Sequence, residues 1–433
     1  MKKFIAIVLS CCMVFAFAAC SQLNKLENLE LPPLPTQLPT ATPQPTPEPT
    51  EMPIEIIKAE ATKQIIINTI RTSLEAFDPA EGKELILSFS YDTPVVYIEG
   101  ADEVAEKINQ AIALMDETYY TGNDHGVGEG IGGYNMMLEQ AVDNYGFVVN
   151  TGAQGVSLEF IASRTADVKR ADSALLSLVY SDYYYTGGAH GTYFSRGYCF
   201  DIDSGDQLSI EQLAENGEEF KNYLVDTMVT MAENDDSISA RIQDEIVPTE
   251  NRAEAFKGLL RDGSWYFTNE GICIFSDVYE FGPYAAGEVK FNIPYEKLSG
   301  KILDKYMPET RSGKAELGIS YLDDTQNGSV EIIDRVVIRE DGDEICLSIK
   351  GTAYDVNLIS VDYVDRFFET QQHWYANIVE DSALQVLTVV PEGMPNLMLS
   401  FMDAEGVNHR ALISQSGVDG KLQLVDDSIQ AVG

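Results

Sequence analysis

The candidate for catalysis in this chain is His190, which stands in a loop between two strand-like segments. A histidine paired with a carboxylate can act as a general acid or base, and the candidate carboxylates are Asp182 and Glu280. Ser181, Asp182 and His190 are also the residue types of a catalytic triad, but nothing marks Ser181 as a strained nucleophile elbow. A loop histidine that is hydrogen-bonded locally is the favoured interpretation of His190.

Recognition by aromatic side chains is the second kind of chemistry that the sequence offers. The stretch from Ser181 to Phe200 is rich in tyrosine and glycine, and Tyr279 to Gly287 is its counterpart. Aromatic side chains on loops are good anchors for sugar rings and for protein partners. An alternative of at least equal weight is that half of these rings belong to the core. The predicted binding residues are Tyr183, Tyr184, Tyr185, Gly187, Gly188, His190, Tyr193, Phe281 and Tyr284.

No metal site and no cofactor are predicted. The four histidines lack the spacing of zinc sites, and so do the cysteines. The run from Asp201 to Asp206 hints at a calcium loop, but its twelfth position holds Gln212 instead of glutamate, so a tight turn is favoured. The segment from Gly122 to Gly133 contains His125 but does not follow a strand, which favours a loop or lid over a phosphate or metal site.

The first 53 residues carry signals for export. Two lysines precede an apolar run that ends at Ala18-Ala19-Cys20, which is the pattern of a signal peptide over residues 1–19. The pattern resembles a lipobox and predicts lipidation of Cys20, with ordinary secretion after cleavage near Ala19 as the alternative. Residues 20–53 hold nine of the seventeen prolines and predict an extended linker. We therefore expect a protein that a lipid at Cys20 anchors to the extracytoplasmic face of a bacterial cell membrane.

The chain is strongly acidic, with 69 acidic against 29 basic side chains and a formal net charge of −40. Such a chain is repelled by nucleic acid and attracted to cationic partners at low salt, so no nucleic-acid partner is predicted. Solubility outside the cell is the plainer explanation for most of the charge. Cys199 and Cys273 lie in strand-like runs of one block, where buried free thiols are favoured over a disulfide.

The predicted fold is α+β, with two α+β blocks of antiparallel sheets and segregated helices followed by a C-terminal β-sandwich. The blocks span residues 54–150, 151–312 and 313–433. In the first block, strand-like runs at Leu85–Tyr91 and Val95–Ile98 precede a helix that begins at Asp102. The second block is predicted to hold strands at Val156–Ala162, Ala174–Tyr180, Tyr198–Ile202 and Val289–Ile293, a helix capped by Ser209 and Gln212, a longer helix at Glu218–Met231, a hairpin at Trp265–Phe275 and a final helix at Tyr295–Tyr306.

Several motifs carry a resemblance to known domains. They are Tyr185 to Gly191 with its GGAH sequence, Phe200 to Leu208, and Pro283 to Gly287 with its PYAAG sequence, together with Tyr97 to Asn109 upstream. They resemble a pair of extracytoplasmic domains of unknown function. That pair occurs in the ectodomain of the anti-sigma-V factor, which senses lysozyme, and in front of the catalytic domain of some peptidoglycan deacetylases. The resemblance covers roughly residues 55–310 and implies that both aromatic stretches belong to one domain.

Two functions stay open, and a purely structural role is a third. The favoured one is a non-enzymatic envelope lipoprotein that binds an extracellular protein such as lysozyme or a peptidoglycan-type glycan; the resemblance implies the lysozyme class of partner. No cytoplasmic anti-sigma segment is recognised, so capture or inhibition is expected more than signalling. The alternative is a wall-polymer hydrolase that uses His190 with Asp182 or Glu280. The deacetylases that the chain resembles carry catalysis in a separate domain, and no such domain is recognised in this sequence.

Overall fold

The structure is a computed structural model that describes residues 64–122, 133–153 and 157–308, and strands between 315 and 432. In this last part, side chains are described only at 353–359, 372–378 and 398–401. The predicted leader, Cys20, the proline-rich linker and the loop with His125 lie outside the described residues. No described helix is both long enough and apolar enough to cross a membrane.

The first half of the fold is a sheet whose strands lie side by side in sequence order. They are Ile65–Phe77 (β1), Leu85–Ile98 (β2), Phe160–Ala171 (β3), Leu175–Tyr185 (β4) and Thr192–Asp201 (β5). Only β2 and β3 are parallel among these neighbours. Two helices, Asp102–Thr121 (α1) and Tyr134–Thr151 (α2), connect β2 to β3. A helical crossover of this kind is what a parallel pair requires, because the chain must return to the same end of the sheet.

A second layer packs a small sheet against short helices. Its three strands are Trp265–Phe267 (β6), Gly271–Phe275 (β7) and Lys290–Pro294 (β8). The helices are Gly217–Asn234 (α3), Asp236–Ser239 (α4), Arg252–Gly258 (α5) and Tyr295–Leu298 (α6). Phe220, Leu224 and Met228 recur at helical spacing on α3 and are buried with Phe267 and Phe291 of the sheet in one apolar core.

The C-terminal region is strand-rich. Its strands are Ala315–Tyr321 (β9), Ile332–Val337 (β10), Asp343–Val364 (β11), Phe367–Thr388 (β12), Asn396–Met402 (β13), Asn408–Gln415 (β14), Leu422–Leu424 (β15) and Gln430–Val432 (β16). The long strand β12 pairs antiparallel with β1, where Ile66 lies opposite Ala376. The amide of Ile65 donates to the Asn377 side chain at 2.7 Å. All eight strands therefore extend the first sheet. The region predicted as a separate β-sandwich over residues 313–433 is a continuation of that sheet.

The predicted α+β class is confirmed, and several local predictions hold. Helix α1 begins at Asp102, and Ser209 and Gln212 form the predicted capping box. Strands β6 and β7 form the predicted hairpin. Cys199 and Cys273 are buried free thiols, and burial raises the pKa of Cys199 to about 11.

The interpretation of Asp201 to Asp206 as a turn is also correct. The Asp201 carboxylate accepts hydrogen bonds from the amides of Asp203 and Ser204, both at 3.0 Å. It also forms an ion pair with Lys305, with Oδ2 2.5 Å from Nζ. The carboxylate is therefore used to close a turn and to attach it to the end of the second layer.

Four local predictions are wrong. The strand predicted over Val156–Ala162 is β3, which spans Phe160–Ala171, and the strand predicted over Tyr198–Ile202 is β5, which begins at Thr192. Strand β4 continues to Tyr185 instead of ending at Tyr180, because its tyrosines find partners on both sides in β3 and β5. The final helix predicted over Tyr295–Tyr306 ends at Leu298, and the chain turns at Ser299 before a single 3-10 turn. Short helical segments of this kind carry little periodicity that a sequence can show.

A buried ion pair holds the centre of the first sheet. Arg164 on β3 lies opposite Asp182 on β4, and both side chains are about 99% buried. The guanidinium donates from Nε to Oδ1 at 2.6 Å and from Nη2 to Oδ2 at 2.7 Å. Its Nη1 donates to the Met115 carbonyl at 3.1 Å, and its Cζ lies 4.2 Å from the Tyr119 ring centre. The pair thus attaches β3 and β4 to helix α1.

We expect Arg164→Met to lower the free energy of unfolding by about 3–5 kcal/mol, because it leaves the Asp182 carboxylate buried without a counter-charge. The double variant Arg164→Met with Asp182→Leu should recover most of that loss, since it removes both charges and keeps the volume. Urea unfolding of the three proteins measures the difference. A double variant as unstable as the single one would show that the pair matters for a reason other than its charge.

Two further carboxylates are buried beside this pair. Burial raises the pKa of Asp92 from 3.8 to about 6, although the nearby Arg71 offsets part of the rise. Burial likewise raises the pKa of Asp116 to about 6, although a hydrogen bond from Thr93 offsets part of the rise. One oxygen of Asp116 has no hydrogen-bond partner within the described part of the chain. Both carboxyls are therefore ionised at neutral pH but take up protons at a higher pH than an exposed aspartate does.

The unfolding free energy should rise as pH falls from 7 to 5. The pKa of each carboxyl is higher in the folded state than in the unfolded chain, so the folded state binds more protons in this window. The unfolding free energy should increase by about 1.3 kcal/mol for each of the two carboxyls. Urea unfolding at both pH values measures it, and Asp116→Asn should remove about half of the pH dependence.

The titration of Asp78 does not affect the unfolding free energy between pH 7 and 5. Four backbone amides donate to its carboxylate, led by that of Glu81, and hold its pKa well below the usual range, so its opposite effect appears only at more acidic pH. Stability that stays flat or falls between pH 7 and 5 would contradict the burial of Asp92 and Asp116.

Candidate functional site

The loop with the GGAH sequence is the tip of the β4–β5 hairpin. Gly187 and Gly188 turn the chain with φ angles of 87° and 101°, a backbone region that side chains with a Cβ rarely adopt. The Tyr185 hydroxyl donates to the Gly188 carbonyl at 3.1 Å and closes the turn. His190 follows on the exposed side of the tip, where its Nδ1 donates to the Gly191 carbonyl at 2.8 Å.

The PYAAG segment lies between β7 and β8. Pro283 precedes a single 3-10 turn, Tyr284–Ala286, which ends at Gly287 with φ 68° and ψ −159°. This combination is essentially restricted to glycine. A Cβ at Gly287 would also lie 3.1 Å from the Tyr193 hydroxyl. From the other side, Nη1 of Arg241 donates to the carbonyls of Ala286 and Glu288 at 3.1 and 3.3 Å. The segment is therefore held between β5 and the loop that follows α4.

The two segments meet in a group of rings that we call the aromatic cluster: His190, Tyr193, Tyr279 and Tyr284. His190 stacks on Tyr284 with ring centres 4.2 Å apart and planes 16° apart. Tyr193 meets Tyr284 edge to face at 6.0 Å, and Tyr279 lies 5.7 Å from Tyr284. His190 and Tyr279 are exposed, whereas Tyr193 and Tyr284 are half-buried. The structure thus brings together rings that stand about ninety positions apart in the chain.

Tyr279 is exposed in an unfavourable backbone conformation. Its φ is 67°, and among the described residues other than glycine only Asp355 shares a positive φ. Its side chain is nevertheless 55% exposed. Neighbouring ion pairs hold the turn, since Glu280 binds Arg261 at 2.9 Å and accepts the Asp277 amide at 2.8 Å. A strained, solvent-facing tyrosine held by its neighbours is typical of functional surfaces.

A polar cavity of about 400 Å³ lies beside the cluster. Tyr193 belongs to both, and the other lining residues are Ser237, Ile238, Arg241, Glu288 and Lys290. Lys290 forms an ion pair with Glu288, with Nζ 3.1 Å from Oε2. Burial raises the pKa of the Tyr193 hydroxyl, and the nearby Glu288 carboxylate raises it further. The Tyr193 hydroxyl is therefore neutral at physiological pH and can donate a hydrogen bond.

Two predicted binding residues belong to the core. Tyr184 is 95% buried and packs against Tyr119 and Phe194 at ring distances of 6.1 and 6.4 Å. The reason is that β4 continues through the tyrosines, so alternate side chains point to opposite faces. Phe281 is buried against Phe256 at 5.6 Å. The other seven predicted residues lie on or near the hairpin tip and the PYAAG segment, with Tyr183 and Tyr185 half-buried.

The candidate carboxylate partners of His190 are engaged elsewhere. Asp182 is buried in the ion pair with Arg164, and Glu280 is bound to Arg261. The hydrogen bond of His190 goes to a backbone carbonyl and its ring lies against Tyr284. Neither carboxylate therefore pairs with His190, and its contacts agree with the favoured interpretation of a locally hydrogen-bonded loop histidine.

Arg241, Glu288 and Lys290 were missed in the sequence, and so was the conformation of Tyr279. Arg241 lies more than forty positions before the PYAAG segment that it binds, and no motif marks it. Glu288 and Lys290 follow that segment directly and lie two positions apart at the start of β8, which was a signal that they share a face.

Comparison with known proteins confirms the resemblance that the GGAH and PYAAG motifs carry. Residues 80–193 match the family model described as "Deacetylase PdaC", and residues 210–296 match that described as "Protein of unknown function (DUF3298)". Each model matches less than half of the chain, and the second describes a domain of unknown function. His190 and Tyr193 fall within the first match and Tyr284 within the second, so the aromatic cluster joins the two matched regions.

Two solved structures are similar to part of the chain. A DUF3298 family member from Bacteroides fragilis NCTC 9343 has 16% identity and a TM-score of 0.38, over 54% of this chain and 91% of its own. A DUF3298 family protein from Pseudomonas aeruginosa PAO1 has 17% identity and a TM-score of 0.36, over 56% and 97%. No match is found among the curated proteins.

Gly287→Ala should destabilise the protein by about 1–3 kcal/mol, because alanine must adopt a backbone conformation that its Cβ disfavours. The new methyl group also meets the Tyr193 hydroxyl, so the fluorescence of the protein should change with the packing of the tyrosines. Gly258→Ala is the control, since it lies in α5 with no atom near its Cβ position, and alanine is the better helix former. Urea unfolding compares the two, and equal stabilities would contradict the role given to Gly287.

Proposed function

We propose that the protein is a non-enzymatic lipoprotein of the bacterial cell envelope that binds a cationic extracellular protein of the lysozyme class through the aromatic cluster. The observation that carries the proposal is the stack of His190 on Tyr284 at 4.2 Å, formed between two separate loops and left accessible to solvent. The location at the membrane rests on the predicted signal peptide and lipidation at Cys20.

The cluster has the properties of an anchor for a partner. Aromatic rings lose little conformational entropy on binding and dominate the energy of many interfaces. Here the rings are fixed before any partner arrives, because Tyr284 contacts His190, Tyr193 and Tyr279 at once. Preorganisation of this kind reduces the cost of ordering side chains at an interface.

The choice of a cationic partner rests on charge and on resemblance. A net charge of −40 attracts a basic protein over long distances and accelerates its association. The resemblance to the ectodomain of a lysozyme sensor implies a partner of the same class. The aromatic cluster then supplies the short-range contacts that charge alone does not supply.

The test is a titration of the protein with a lysozyme at low and at physiological salt. Tyr279→Ala and Tyr284→Ala should each weaken binding by about tenfold or more, because they remove rings from the proposed contact. Tyr97→Ala is the matched control: Tyr97 is 54% exposed, against 55% for Tyr279, but it lines a different cavity. It should leave the affinity unchanged.

Saturable binding that persists at physiological salt and falls only in the cluster variants supports the proposal. Binding that disappears at physiological salt overturns it, since that result is the bulk attraction expected of any acidic chain. Equal affinities for the Tyr97 and Tyr279 variants also overturn it. Binding of wall glycan fragments without binding of lysozyme overturns the choice of a protein partner and shows that the partner is a glycan.

A further inference from the structure

The polar cavity beside the aromatic cluster has the composition of a small-molecule site. Its volume of about 400 Å³ lies within the usual range of ligand pockets, about 300–1,000 Å³. Glu288, directly after the PYAAG segment, contributes one wall, and the loop after α4 contributes another through Arg241. Pockets of this kind fix a ligand through a few polar groups that converge on it.

Glu288 is a buried carboxylate of this cavity with one oxygen that has no hydrogen-bond partner among the described residues. The residue is only 6% exposed, and its Oε2 binds Lys290 at 3.1 Å. Its Oε1 is fully buried and accepts no hydrogen bond from any described residue. A buried carboxylate oxygen without a donor is unfavourable, so native proteins rarely keep one without a functional reason. Because Oε1 is fully buried, a ligand in the cavity meets the other oxygen, Oε2, beside Lys290.

The cations of the cavity complement this carboxylate. Nη1 of Arg241 is used by two backbone carbonyls, which fixes the plane of the guanidinium at the cavity wall. Lys290 is half-exposed and faces the same space. Together with Glu288, these residues leave one positive charge in excess, on a chain whose net charge is −40. A guanidinium held in this way is well suited to a carboxylate.

Tyr193 completes the site with a ring and a hydroxyl. Its ring contacts Tyr284 edge to face at 6.0 Å and forms the side of the cavity nearest the cluster. An aromatic wall suits the apolar face of a sugar ring, while the hydroxyl group can donate to one of its oxygens. The lining therefore offers positive charge for an anion, an acceptor for hydroxyl groups and a flat surface for a ring.

We propose that this cavity binds an acidic sugar, with the sugar carboxylate at Arg241 and Lys290, a ring hydroxyl at Glu288 and the ring against Tyr193. This site is separate from the docking surface of the aromatic cluster, with which it shares only Tyr193. Each function can therefore fail without the other.

The experiment is a calorimetric titration of the full protein with D-glucuronate, with D-glucose as the matched neutral sugar. Glucuronate should bind saturably and glucose at least about tenfold more weakly, because glucose lacks the charge-assisted hydrogen bonds. Lys290→Gln should bring the glucuronate affinity down toward that of glucose. Lys83→Gln is its control, since Lys83 also pairs with a glutamate two positions earlier, at 2.7 Å, but lies outside the cavity.

Glu288→Met tests the carboxylate of the cavity. It should weaken glucuronate binding at least about tenfold, because it removes the acceptor of the sugar hydroxyl, while the protein still unfolds cooperatively in urea. Tyr279→Ala should leave glucuronate binding unchanged even where it abolishes protein docking. The proposal is overturned if glucuronate fails to saturate below about 10 mM, if glucose binds equally well, or if Lys290→Gln binds no more weakly than Lys83→Gln.

Discussion

Arg164 and Asp182 carry opposite charges in a place that water does not reach, and the first sheet depends on their meeting. Removing either partner leaves the other charge buried, so their two parallel hydrogen bonds, at 2.6 and 2.7 Å, specify the pairing of β3 with β4. A slip of one residue between the strands would move each side chain to the opposite face of the sheet. The register in turn fixes where β4 ends and where the hairpin tip begins. The ion pair in the centre of the sheet thus determines the position of His190 in the aromatic cluster.

A second buried arginine on β3 connects this sheet to the other layer. Arg170 binds Asp172 at 2.6 Å, donates to the Tyr306 carbonyl at 2.7 Å and also contacts the Tyr295 hydroxyl. Tyr306 and Tyr295 belong to the end of the layer that carries the PYAAG segment. One strand therefore positions both segments of the site, one through Arg164 and the other through Arg170. This explains how rings from two regions that match different family models are held in one cluster.

The sequence predicted the elements better than their partners. The spacing of Ile108 and Ile112 predicted α1, and the Ser209 capping box and the β6–β7 hairpin were readable because each depends on residues a few positions apart. The ion pair of Arg164 with Asp182 could not be predicted. A charged residue in a strand normally faces solvent, and periodicity does not reveal its partner. The same limit applies to the aromatic stretches. Their glycine-rich motifs identified both loops, but only the extension of β4 through Tyr185 determined that Tyr184 is buried while His190 is exposed.

The two proposed sites differ in chemistry but share one wall. Tyr193 supports Tyr284 with its ring and reaches the cavity with its hydroxyl group, and Gly287 lets the hydroxyl approach the PYAAG backbone. A cavity ligand that holds Tyr193 in its present position therefore also supports the ring beneath His190. Thermodynamic linkage then requires the effect to be mutual: if a bound sugar tightens protein docking at the cluster, the docked protein tightens sugar binding by the same factor. The two proposals together thus predict that an acidic sugar and a docked protein act on the position of a single tyrosine.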